Sequence, residues 1–88
     1  MANSIVSIKQ SKILVVDDKQ ENLELMTHLL EAEGFEIAYA TSGDEAIKIG
    51  SLYLPDLILL DVMMPGIDGF ETCRRFKSLH DLKDIPVI

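Results

Sequence analysis

Two short apolar runs, each followed at once by acidic residues, dominate the pattern of this chain. Residues 12–16, which are apolar after Lys12, lead into Asp17 and Asp18, and residues 57–60 lead into Asp61. Both runs are too short for ordinary helices, and both are typical of parallel strands that are buried on both faces. Ligands bind at the carboxyl ends of strands in open α/β sheets, so the pattern places these acids for chemistry rather than packing.

Between the two runs, apolar residues occur at helical spacing. Apolar residues recur every three or four positions over residues 20–33, and Gly34 follows as a C-terminal stop. A second helix is expected to begin after Ser42, because Glu45 stands three positions later and has the spacing of a reciprocal cap. Gly50 interrupts this helix, where glycine lowers helix stability, and the pattern gives no reason for it.

A third helix is predicted after Asp68, which has the same capping spacing to Glu71. Its apolar face is expected to consist of residues spaced mostly three apart. These residues are Phe70, Cys73, Phe76 and Leu79 or Leu82.

The remaining segments complete an alternation of strands and helices. In residues 35–40, the large side chains of Phe35, Ile37 and Tyr39 alternate with Glu36 and Ala38, as in an edge strand, and residues 85–88 begin a fourth strand. The alternation is typical of an α/β fold with a doubly wound parallel sheet. Right-handed crossovers place strand two on one side of strand one and strand three on the other, giving the order 2-1-3-4. Asp17, Asp18 and Asp61 should therefore meet at the topological switch point.

Composition and charge indicate what kind of protein contains this sheet. The 88 residues are 48% hydrophobic and 26% charged, which suits one small globular domain, with residues 1–11 as an N-terminal tail and residues 12–88 as the domain. A net charge of −7 argues against direct nucleic-acid binding, and no apolar run approaches the roughly 20 residues of a membrane span. A single cysteine and the lack of a signal-peptide pattern lead us to expect a cytoplasmic protein.

Three clustered carboxylates repel one another, and a divalent cation relieves that cost. Ligands that are all oxygen, in a half-open cluster with room for water, favour Mg²⁺. Met63 could add only its backbone carbonyl, because its thioether is a poor ligand for this ion. Asp61, alone at its strand end, is the best candidate for a nucleophile toward phosphorus. The alternative for any one acid is a strand-end cap, but three acids on adjacent strands favour a functional site.

The ordered set of motifs resembles the receiver domain of bacterial two-component response regulators over about residues 12–88. It consists of Asp17-Asp18 after an apolar strand, the run ending at Asp61, Met64-Pro65-Gly66 and Asp68-Gly69. The resemblance implies a flavodoxin-like receiver fold, with Asp61 as phosphoacceptor, Asp17 and Asp18 as metal-binding acids, and Met63 giving a carbonyl to Mg²⁺. It also implies a histidine kinase or phosphotransfer protein as phosphodonor.

The sequence departs from that family at its end. The family's fourth strand normally ends in Ser or Thr and its fifth in Lys, and neither position occurs within the 88 residues. We therefore expect a receiver that lacks the last helix, strand and helix, and phosphoryl transfer that is slow or absent, with Mg²⁺ binding surviving better. Lys19 lies near the acids in sequence but is expected to be solvated.

Two rival functions remain open at this stage. One is a receiver remnant that takes no phosphate and associates with itself or another receiver, as a homodimer or swapped assembly through exposed helix one and strand four. The other is a phosphatase of the haloacid dehalogenase type, which needs an Asp two residues after its nucleophile. Met63 stands at that position, so an enzyme is not expected.

Overall fold

The computed structural model describes residues 11–61 and 69–88, which form alternating strands and helices. The elements in chain order are β1 (Lys12–Val16), α1 (Gln20–Ala32), β2 (Glu36–Ala40), α2 (Gly43–Tyr53), β3 (Leu57–Leu60) and α3 (Gly69–Ser78). The bounds of the first five elements agree with the prediction to within one or two residues, but α3 ends at Ser78, whereas the predicted apolar face of the third helix extended to Leu79 or Leu82. Asp68, the predicted cap of the third helix, and residues 1–10 of the predicted tail lie outside the described residues. Among the helices described, none is long and apolar enough to cross a membrane.

The sheet is parallel, and its strands lie in the order β2-β1-β3. Beside β3, Ile58 forms a parallel bridge with Val87. The amide of Ile58 donates to the carbonyl of Pro86 at 3.0 Å, and the amide of Ile88 donates to the carbonyl of Ile58 at 2.9 Å. The beginning of the fourth strand therefore lies next to β3, which confirms the predicted order 2-1-3-4.

The two faces of the sheet carry separate apolar clusters. On one face Leu14, Val16 and Ile58 pack with Phe76 of α3 and with Leu82 beyond it. The smaller cluster, on the other face, consists of Ile13, Val15 and Leu23, with Met26, Leu30, Phe35, Ile37, Leu57 and Leu59 packed around it. Helices thus cover both faces, as the doubly wound fold predicts.

The two strands that bear the acids differ in burial. All of Ile13 to Val16 in β1 is buried, whereas in β3 only Ile58 is buried and its neighbours are partly exposed. The prediction that both faces are buried is therefore correct for β1 and wrong for β3. The physical reason is that α1 packs mainly on β1 and β2, and within the described residues it leaves part of the face near Leu59 open.

The apolar face predicted for α3 is wrong at its first residue. Phe70 is 74% exposed, while Phe76 is fully buried. Residues spaced three apart fall about 60° short of a helical turn at each step, so Phe70 and Phe76 diverge by about 120° around the helix. The buried face instead contains Gly69, Thr72 and Phe76, whose spacing of three and four follows one side of the helix.

Gly50 allows α2 to approach the neighbouring core closely. A Cβ atom at this position would lie 2.9 Å from Cε1 of Phe76 and 3.6 Å from side-chain carbons of Leu14 and Leu82. Phe76 is fully buried, so its ring has little room to move away. The glycine that the sequence pattern left unexplained is thus required by packing between α2 and α3.

Candidate metal and phosphoacceptor site

The backbone of the sheet fixes the acids at its carboxyl edge. The amide of Asp17 donates to the carbonyl of Ala40 in β2 at 3.1 Å, and the amide of Asp61 donates to the carbonyl of Val16 in β1 at 2.9 Å. The parallel ladders therefore extend one residue past the end of β1 and of β3. Both acids begin from a backbone that hydrogen bonds already hold in place.

The three predicted acids lie together. Asp17, Asp18 and Asp61 each offer a carboxylate oxygen, and these atoms all lie within 4.8 Å of one another. Asp17 and Asp61 are half-buried, and Asp18 is exposed. The crossover topology predicted that these acids would meet, although Asp17 and Asp61 are far apart in the sequence. Met63, the fourth predicted ligand, lies outside the described residues.

Asp17 is held by the first turn of α1. Its Oδ1 accepts a hydrogen bond from the backbone amide of Lys19 at 3.0 Å, and its Oδ2 accepts one from Nδ2 of Asn22 at 3.1 Å. Asn22 is half-buried and was missed in the sequence analysis. The sequence did contain a signal for Asn22, because an amide side chain in the first helical turn after an acidic pair can point back toward the end of the strand. Lys19 itself is exposed, as predicted.

An open pocket of about 590 Å³ lies beside the acids. The acids Asp17 and Asp61 line it together with Asn22 at the polar end, and Leu25 and Leu60 line it at the apolar end. Such a pocket has room for water and a cation next to the carboxylates, and for a small anion only once a cation offsets their charge. Its apolar wall follows from the incomplete cover over β3.

The chemistry of the cluster follows from its donors. In the described part of the chain the cluster consists of carboxylates alone, without histidine or cysteine. Hard cations such as Mg²⁺ prefer oxygen ligands and retain several waters, which a half-exposed cluster permits. The residues present therefore fit a magnesium ion better than zinc, for which nitrogen and sulfur ligands are more usual.

Comparison with known proteins assigns the fold to a family. The chain matches the family described as response regulator receiver domain over residues 13–88. Response regulator PleD of Caulobacter vibrioides is 46% identical over 78 residues, which cover 89% of this chain and 17% of PleD. The chain thus spans less than a fifth of that curated relative.

Solved structures agree with the sequence relatives. The N-terminal domain of a response regulator receiver protein from Methanoculleus marisnigri JR1 superposes with a TM-score of 0.85 at 40% identity, covering 88% of this chain and 63% of that chain. The crystal structure of histidine kinase ThkA in complex with response regulator protein TrrA matches with a TM-score of 0.81 at 38% identity, covering 89% and 66%.

These matches set aside one of the two rival functions left open by the sequence. Response regulator receivers are signalling domains rather than classical enzymes, so the phosphatase alternative is set aside. The order of the strands, the positions of the three acids and the matched residues agree with one another. This chain belongs to the response regulator receiver domain family.

Proposed function

We propose that this chain is the phosphoacceptor module of a two-component system, and that Asp61 accepts a phosphoryl group with Mg²⁺ as cofactor. The observation that carries the proposal is the meeting of three carboxylate oxygens within 4.8 Å at the ends of two adjacent strands. A single strand-end aspartate has many structural uses. Three such acids beside an open pocket favour a cation and a phosphoryl group.

The roles divide by position in the site. Asp61 is proposed as nucleophile and metal ligand, and Asp17 and Asp18 as metal ligands, with the carbonyl of Met63 as a further proposed ligand. When bound, Mg²⁺ neutralises negative charge on the transferring phosphoryl group. A carboxylate oxygen of Asp61 bonds to phosphorus as the bond between phosphorus and the donor breaks, and the leaving group keeps that electron pair.

The proposed phosphodonor is a histidine kinase or a phosphotransfer protein. The matched structure of ThkA with TrrA shows such a kinase bound to a response regulator, and its identity of 38% to this chain supports the same class of partner here. The net charge of −7 argues against direct binding to nucleic acid. Two further statements remain predictions: that the protein is cytoplasmic, and that the domain begins at residue 12 after an N-terminal tail.

For the 88-residue chain tested by itself, we expect slow transfer. The hydroxyl and lysine that the family resemblance implies have no counterpart within the 88 residues. Without a fixed cation from the protein, less of the charge on the phosphoryl group is stabilised. Mg²⁺ binding depends on the three acids and should be retained.

The test is incubation of the chain with Mg²⁺ and a small acyl phosphate, followed by mass spectrometry. We expect a mass gain of one phosphoryl group, stable in acid and labile in base, located at Asp61. It should be lost in Asp61→Asn and kept in the control Asp84→Asn, which changes an exposed acid. An unmodified Asp61 after prolonged incubation at saturating Mg²⁺ would contradict the proposal.

A second candidate function is self-association through α1. Leu25 and Leu29 lie one turn apart on this helix and are 58% and 53% exposed. Packing of α1 against α1 of a second copy would be self-complementary and would bury both leucines, each worth about 1.5 to 3 kcal/mol when fully covered. The apolar end of the site pocket, with Leu25 and Leu60, continues this surface.

Sedimentation velocity at micromolar concentration tests this candidate. A dimer is expected, and Leu25→Ser should shift it toward monomer. The control Leu52→Ser changes a leucine of α2 that is 87% exposed and should leave the dimer intact. A folded monomer of the unaltered chain would exclude self-association.

A further inference from the structure

Each oxygen of the Asp17 carboxylate accepts one hydrogen bond from the start of α1. The backbone amide of Lys19 donates to Oδ1 at 3.0 Å, and Nδ2 of Asn22 donates to Oδ2 at 3.1 Å. Both donors belong to the start of α1. Only the bond from Asn22 comes from a side chain, so it depends on the identity of the residue.

The chemistry of the two groups fixes the direction of this bond. An ionised carboxylate can only accept hydrogen bonds, so the amide nitrogen of Asn22 must face it. Each carboxylate oxygen has two lone-pair sites, so one donor on each oxygen leaves a further site free for a cation. The two bonds together restrict rotation of the carboxylate without blocking it.

The neutrality of Asn22 also matters. A lysine or arginine at this position would pair with Asp17 and reduce the negative charge that attracts a cation. An amide orients the carboxylate and leaves the charge of the cluster unchanged. Asn22 is half-buried and lines the same pocket as Asp17 and Asp61, so its contact is partly shielded from water.

We infer that Asn22 is a positioning residue that holds Asp17 in the orientation required for a divalent cation. The inference deepens the proposed function and rests on it. Groups that orient metal ligands typically contribute 10- to 100-fold in metal affinity. Loss of the Asn22 amide is therefore expected to weaken Mg²⁺ binding by about tenfold.

The variant Asn22→Leu removes the donor and keeps a side chain that branches at Cγ, in a residue that favours helix. Its matched control is Gln20→Leu, which removes an amide from the same helical turn. Gln20 is exposed and pairs with Glu24 at 3.5 Å rather than with the acids. Two measurements are made on each protein: side-chain couplings of Asp17 by NMR without metal, and Mg²⁺ affinity by calorimetry.

In the metal-free chain and in Gln20→Leu we expect a single Asp17 side-chain rotamer, and in Asn22→Leu an average over rotamers. Calorimetry should show affinity reduced about tenfold in Asn22→Leu alone. An unchanged rotamer, or averaging without a change in affinity, would overturn the inference while leaving the proposed function standing. If the unaltered chain binds no Mg²⁺, the proposed function fails, and the inferred metal role of Asn22 fails with it. The rotamer measurement then still reports whether Asn22 orients Asp17.

Discussion

The amide nitrogen of Asp61 lies 2.9 Å from the carbonyl oxygen of Val16. This bond extends the ladder between β1 and β3 beyond Leu60, the last residue of β3. The proposed nucleophile is therefore attached to the most buried strand of the sheet, and its backbone position is set by β1 rather than by a loop. A site built in this way is positioned before any ligand arrives.

The close contact between Gly50 and Phe76 predicts the effect of a single methyl group. Alanine at position 50 gains about 1 kcal/mol in helix propensity, but its Cβ would lie 2.9 Å from the buried ring, and overpacking of this kind costs about 1 to 3 kcal/mol. Gly50→Ala should therefore lower the free energy of unfolding by about 1 kcal/mol. Denaturant unfolding measures it. The control Ser51→Ala, at an exposed position of the same helix, should be neutral or stabilising.

The cap of α2 predicts a second change in stability. Oγ of Ser42 accepts a hydrogen bond from the amide of Glu45 at 3.2 Å, while the Glu45 carboxylate accepts one from the amide of Thr41 at 2.7 Å. Ser42→Ala should cost about 1 kcal/mol in thermal or denaturant unfolding. The comparison is Ser78→Ala, which changes the serine at the C-terminal end of α3. Equal losses in the two variants would contradict a specific cap.

Tyr53 predicts a loss of stability at high pH. Burial, followed by the neighbouring Glu36, raises the pKa of Tyr53 from 10.0 to about 12. Between these values the unfolded chain loses the tyrosine proton while the folded chain retains it, so the contribution of Tyr53 falls as the pH rises from 10 to 12. Tyr53→Phe should flatten the decline seen in denaturant unfolding over this range. Tyr39→Phe, which alters a half-exposed ring, should not change it.

Much of the fold could be predicted because it depends on local pattern and chain topology. The order of β2, β1 and β3 follows from right-handed crossovers, and that order brings Asp17 and Asp61 to one edge. The end of α1 before Gly34 was also predictable, because Gly34 has a positive φ of 94°, which glycine adopts without steric cost.

Other features depend on packing between elements that are distant in sequence. The need for Gly50 arises only when α3 brings Phe76 against α2. The exposure of Phe70 depends on which side of α3 faces the sheet. The prediction chose the wrong side because it followed residues spaced three apart. The bond from Asn22 to Asp17 depends on the path between β1 and α1, and that path is set by backbone angles rather than by hydrophobic pattern.

The central claim is that three carboxylates form a magnesium site around Asp61, and calorimetric titration of the chain with Mg²⁺ tests it most directly. We expect one ion per chain, with affinity at least about tenfold lower in Asp17→Asn, since affinity at oxygen sites depends on the number of charged ligands. Asp81→Asn, which changes an exposed acid after α3, should bind as the unaltered chain does. An absence of binding, or equal affinity in Asp17→Asn and the unaltered chain, would contradict the claim.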